Sequence, residues 1–191
     1  MTLIVGLGNL GSRYRLTRHN VGFRVVDRLL EGAERWRRGD RSLQASVALE
    51  GNPVILLKPM TFMNLSGEAL GAFVKARRHV AGELIVVHDE LDLPPGVVRI
   101  KKGGGTAGHR GLDSIVSYLE RNDFIRVRVG IGRPPETGPA TDYVLGVPLG
   151  EEETLLAEGE RAAAEAVRMI LREGLVMAMN RFNRRIPGEA E

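Results

Sequence analysis

Hydrolytic acid–base chemistry needs a side chain that can take a proton near neutral pH, and His19 is placed among groups that could use one. It closes the stretch GLGNLGSRYRLTRHN, residues 6–20, which opens on glycines after the apolar run Leu3-Ile4-Val5 and also carries Asn9, Tyr14, Arg18 and Asn20. A second apolar run, Leu84–Val87, ends in His88, Asp89 and Glu90. A carboxylate bonded to one imidazole nitrogen fixes the tautomer and stabilises the imidazolium formed when the other nitrogen takes a proton. Asp89 is the candidate for that role; the alternative is a turn-forming acid ahead of Pro94-Pro95. His88 and Glu90 alternate with Asp89 and would face away from it on a strand.

Other groups could serve such a pair. TFMNLSG, residues 61–67, sets Asn64 just before a helical pattern, where it either caps the helix or holds a carbonyl or a water with its amide. Phe62 and Met63 suit the wall of a substrate groove, or core packing. KKGGGTAGHRG, residues 101–111, combines flexible glycines with Lys101, Lys102 and Arg110, and could cradle a phosphate or act as a mobile flap.

Several chemistries are set aside. Gly6, Gly8 and Gly11 spell G-x-G-x-x-G, but a polar stretch runs to Asn20 before helical periodicity begins. No acid ends a second strand about 20 residues later, since Asp27 falls in a helical pattern, which argues against a nucleotide-dependent oxidoreductase. His79, His88 and His109 lack metal-ligand spacing, and there is no G-x-S-x-G elbow. The absence of cysteine excludes disulfides, thiolate metal sites and a cysteine nucleophile. An acid–base hydrolase without cofactor or metal remains, beside a plain RNA-binding module.

The elements that must position these residues alternate along the chain. Strands are expected at Thr2–Gly6, in a hairpin of Ser46–Leu49 and Pro53–Leu57, at Leu84–Val87, around Val97–Ile100, over Ile125–Ile131, and briefly at Tyr143–Leu145. Helical periodicity runs from an N-cap at Asn20 to Leu30, from Leu65 to about Arg78, over 112–119, over Glu151–Arg172 and over 174–183, with 31–42 as a loop. The expected fold class is therefore α/β: a single domain, 1–191, with a central twisted mixed sheet and helices on both faces. In such sheets functional groups gather beyond the carboxyl ends of strands, so Asn9 and Asp89 could share a crevice.

Charge is unevenly distributed. Residues 1–42 hold nine arginines against four acids, 97–133 hold eight Lys or Arg against three acids, and 151–191 hold nine glutamates against six arginines. A basic front with a more acidic tail suits a polyanionic partner such as nucleic acid, or arginines in surface ion pairs. No run is long and apolar enough to span a bilayer and no secretory leader is evident, so the cytoplasm is the expected compartment.

Eight blocks in order resemble bacterial peptidyl-tRNA hydrolase: GLGNLGSRY (6–14), TRHNVG (17–22), KPMTFMNLSG (58–67), HDELDLPPG (88–96), GGGTAGHRGL (103–112), RVGIGRP (128–134), DYVLG (142–146) and MNRFN (179–183). The resemblance implies a monomeric enzyme that hydrolyses the ester between a peptide and the 3′-terminal ribose of tRNA, recycling peptidyl-tRNA released from ribosomes. It implies that His19 is the base, that Asp89 supports it, and that Asn9 and Asn64 hold the substrate or the attacking water. Tyr14 and Phe62 would meet the tRNA end or the peptide, and Lys101 and Arg128 the acceptor-stem phosphates. No cofactor, metal or membrane is implied. The chain departs from the pattern at Arg110, where the family usually has asparagine, and at Leu10, where it usually has proline. The resemblance does not by itself carry that asparagine's substrate or water contact over to Arg110, and electrostatics alone suits Arg110 to the 3′-terminal phosphates.

Overall fold

Apolar alternation along the strands divides the interior into two cores. The computed structural model describes residues 1–30, 35–76, 82–134 and 138–184. Its strands are β1 (Thr2–Gly6), β2 (Arg37–Gly39), β3 (Ser42–Leu49), β4 (Asn52–Pro59), β5 (Leu84–Glu90), β6 (Val98–Lys102) and β7 (Ile125–Gly130). They form one sheet in the order β2-β3-β4-β1-β5-β7-β6. β1 runs parallel to β4 and β5, and β5 parallel to β7, while β2, β3 and β6 join antiparallel, so the sheet is mixed as expected.

The helices are α1 (Val21–Leu29), α2 (Ser66–Ala76), α3 (Arg110–Leu119), α4 (Ala140–Val144), α5 (Glu151–Glu173) and α6 (Leu175–Phe182). Ile4, Ile85 and Val87 point to the face covered by α1, α5 and α6, whereas Leu3, Val5 and Val86 point to the face covered by α2 and α3. Helices therefore flank both faces, and the period-two pattern of β1 and β5 sets which residues meet which layer. No helix among the described residues is long and apolar enough to cross a membrane.

Three local expectations are corrected. Tyr143–Leu145 is no strand: α4 starts from an extended Pro139 and is closed by Gly146 N–H bonding to the Tyr143 carbonyl. A short apolar run does not distinguish the two states by pattern alone. The 31–42 loop instead contains β2, an arginine-bearing edge strand paired with a β3 that begins at Ser42. Exposed charge is a usual feature of sheet edges. Asn20 precedes α1 without a side-chain cap bond, because its amide is used elsewhere. The last two residues of the helix expected to reach Arg78 lie outside the described residues.

Candidate active site

The glycines at the end of β1 bring a helix against the sheet. A Cβ on Gly6 would meet the Gly22 carbonyl at 2.2 Å, and one on Gly22 would meet the Val87 carbonyl at 2.4 Å. That approach seats the start of α1, and the 3₁₀ turn Arg18–Asn20 just before it, beside the end of β5. His19 and Asp89, 70 positions apart, meet there: Nδ1 of His19 lies 2.9 and 2.8 Å from the two Asp89 oxygens. Nδ1–H therefore donates and leaves the Nε2 lone pair free to take a proton. His19 is 9% exposed and Asp89 only 3%. Burial opposes ionisation of Asp89, but His19 and then His109 outweigh it and hold the carboxyl well below the usual range.

His109 was not a sequence-derived site residue. Its Nε2 lies 3.0 Å from Oδ1 of Asp89, and its Nδ1 accepts from the N–H groups of Gly111 and Leu112 at the start of α3. An imidazole nitrogen accepting two backbone N–H groups cannot carry a proton, so the proton is on Nε2 and points at Asp89. The N-cap of α3 thus fixes a second donor on the carboxylate. The signal in the sequence was a histidine directly before a helical pattern, where an uncommon cap stands in the usual Ser/Asp position. His19, Asp89 and His109 also bring ligand atoms within 4.8 Å of one another, a set a cation could use. The protons on His19 and His109 account for both bonds to Asp89 without one. His79 lies outside the described residues.

Asn9 and Asn20 are locked together. Asn20 accepts from the Asn9 backbone N–H at 2.9 Å and donates to its carbonyl at 3.0 Å. The Asn9 side-chain oxygen accepts from the Met63 N–H at 2.8 Å. This orients the Asn9 amide, since an N–H must face an acceptor, and leaves its Nδ2 as a donor toward the cavity. Arg18 anchors the other side of the histidine turn. It bonds Glu152 through Nε and Nη2, both at 2.6 Å, and lies 4.2 Å from the Tyr143 ring centre.

Two cavities open on His19. One, of about 160 Å³, is bordered by Asp89, Leu91, His109, Arg110 and α4. The other, of about 190 Å³, is bordered by Asn9, Tyr14, Phe62, Met63, Asn64 and Arg110, so it gathers most of the sequence-derived residues. Phe62 is 54% exposed at its edge, whereas Met63 is buried and packs against Gly111. Asn64 is exposed in the 3₁₀ turn Met63–Leu65. Lys101 and Arg128 border neither cavity. They meet a third, of about 290 Å³, with His88, Glu90 and Arg126, and Arg128 is bonded to Glu90 at 2.9 Å. The buried Arg126 donates to the Gly104 and Gly105 carbonyls and so holds the glycine loop.

His88 has its own consequence. It is fully buried, and that burial, with His109 nearby, pushes its imidazole down to about 3. The folded chain leaves it neutral until that pH, whereas the unfolded chain protonates it near 6.5. The unfolded state therefore binds more protons across this window, and folding stability falls as pH drops through it. His88→Gln is expected to flatten the acid slope of the urea midpoint between pH 7 and 5, removing about 2 kcal/mol of the pH dependence. An unchanged slope would clear His88 as its source.

The chain is similar over nearly its whole length to known proteins of one family. The family model for peptidyl-tRNA hydrolase matches residues 3–189. A peptidyl-tRNA hydrolase of Rubrobacter xylanophilus is 52% identical over 182 residues, covering 95% of this chain and 99% of that protein. One of Chloroflexus aurantiacus is 48% identical, covering 96% and 99%. The crystal structure of peptidyl-tRNA hydrolase from Acinetobacter baumannii superposes with a TM-score of 0.89 at 37% identity, covering 98% of this chain and 97% of that one. With matches of this length on a sheet and site of this form, the chain belongs to the peptidyl-tRNA hydrolase family.

Proposed function

We propose that this chain hydrolyses the ester joining a peptide, or an N-blocked amino acid, to the 3′-terminal ribose of tRNA, with His19 as general base. The observation that carries the reading is the His19–Asp89 pair opening onto two cavities at once. An ester has two sides, and a base between two cavities can receive an acyl group in one and a terminal nucleoside in the other. The Asn9 and Asn64 amides and the apolar Phe62 and Met63 suit the cavity of about 190 Å³ to the acyl group. His19 Nε2 takes a proton from water as its oxygen bonds to the carbonyl carbon, and the Asn9 Nδ2–H donates to the developing oxyanion. Collapse breaks the bond to the ribose oxygen, which takes the proton from His19 and leaves as a hydroxyl. The peptide leaves as a carboxylic acid.

The reading makes tRNA the substrate and the cytoplasm, where translation runs, the place of work. A monomer is the form the family resemblance implies, and it is taken as part of this reading. Incubation with N-acetyl-aminoacyl-tRNA and free aminoacyl-tRNA tests it. Release of tRNA from the blocked form is expected, while tRNA binding without cleavage would make the chain a plain RNA-binding protein.

Lys101 and Arg128 are assigned to acceptor-stem phosphates on their charge and on the third cavity they border. Lys101→Ala is expected to weaken tRNA binding and to lower the slope of log Kd against log salt by about 1, because one fewer counterion is released. Arg128 is already bonded to Glu90, so Arg128→Ala is expected to have the smaller effect. Binding isotherms across a salt series measure both, and unchanged slopes would remove these residues from the interface.

A further inference from the structure

Arg110 is placed against local helix physics. It is the first residue of α3, where N–H groups gather partial positive charge and a cation is unfavourable. No ion pair or hydrogen bond offsets this among the described residues. By contrast, Arg128 and Arg133 nearby are bonded to Glu90 and Asp92. A residue set against its local preference and left unpaired marks a functional position. Arg110 also borders both cavities at His19, and among the described residues lining the one assigned to the acyl group it alone carries a fixed charge.

We propose that Arg110 sharpens the site's selectivity for N-blocked esters by repelling the α-ammonium of free aminoacyl-tRNA. The inference rests on the ester-hydrolase reading and specifies its substrate. In an aminoacyl ester the α-nitrogen is two bonds from the scissile carbonyl carbon. With that carbon beside His19, the nitrogen lies in the cavity that Arg110 borders. In peptidyl-tRNA this nitrogen is a neutral amide that can donate to an asparagine oxygen. In aminoacyl-tRNA it is an amine, charged below a pKa of about 8. The Asp89 carboxylate would draw that cation in, but it is buried behind two imidazole N–H donors, whereas Arg110 is exposed to the cavity. Two like charges brought into one small cavity, in surroundings between water and protein, change binding about tenfold.

The test is kcat/KM on N-acetyl-aminoacyl-tRNA and on the same tRNA with a free amine, for wild type, Arg110→Lys and Arg110→Gln. Wild type and Arg110→Lys are expected to keep a high ratio of blocked to free cleavage at pH 7, with Arg110→Gln about tenfold lower. That gap is expected to close at pH 9, where the amine is neutral. A ratio equal in Arg110→Gln and wild type would overturn the inference. So would an equal loss on both substrates with a shallower salt dependence, the mark of a phosphate contact. A wild-type chain unable to cleave the blocked ester would instead refute the hydrolase reading, and this inference with it.

Discussion

Alanine in place of His19 is expected to lower kcat on N-acetyl-aminoacyl-tRNA by about 10²–10⁴-fold, the usual share of a positioned general base. The loss should appear equally in kcat and kcat/KM, because the proton transfer stabilises only the transition state. Binding of tRNA should persist, since Lys101 and Arg128 lie at a separate cavity. The residual rate would come from the Asn9 donor and from substrate positioning, which the substitution leaves in place. Because His19 sits where two cavities meet, added imidazole should reach the gap and restore part of the rate. Single-turnover hydrolysis with and without imidazole measures this, and a wild-type rate in the alanine variant would remove His19 from the chemistry.

The sequence made the sheet and its two helical layers legible because apolar periodicity reports burial directly. β1 ends at Gly6, with His19 in the loop and turn that follow, and the apolar run of β5 stops at Val87, two residues before Asp89 near the end of that strand. What the pattern could not show was partnership at a distance. Arg18 reads as one more cation in a basic stretch until Glu152 is folded against it. Asn20 reads as a cap, because asparagine before a helical run usually is one, yet its amide is spent on the Asn9 backbone. His109 was visible only as part of a flexible loop. Its role depends on a bond to Asp89 across 20 residues and on the cap it provides for α3. Lys101 and Arg128 are legible in the sequence as cations, but nothing in the spacing says that they border a different cavity from the base.

Of the two obvious changes at Asp89, the conservative one is expected to be the more damaging. In Asp89→Ala a water can enter beside His19, accept from Nδ1–H and keep the productive tautomer for part of the time. In Asp89→Asn one side-chain oxygen and one NH₂ group must face two imidazole N–H donors. His109 cannot yield, since its Nδ1 accepts from two backbone N–H groups and its proton is held on Nε2. It therefore claims the amide oxygen and turns the NH₂ toward His19. The NH₂ then stands where Oδ2 lies, 2.8 Å from Nδ1 of His19, and favours the tautomer whose Nδ1 accepts; its proton moves to Nε2, and the lone pair that should take a proton from water is gone. A wrong tautomer of this kind costs a catalytic histidine about 10⁴-fold in kcat. Asp89→Asn should thus approach the loss of His19→Ala, with Asp89→Ala less impaired. Adding His109→Asn to Asp89→Asn supplies a favoured N-cap too short to reach residue 89, which frees the amide to turn its oxygen to His19. The double variant is expected to recover part of the rate, with ¹⁵N spectra showing the His19 proton back on Nδ1. If it is slower than Asp89→Asn alone, His109 does not set the orientation of the amide and the tautomer argument fails.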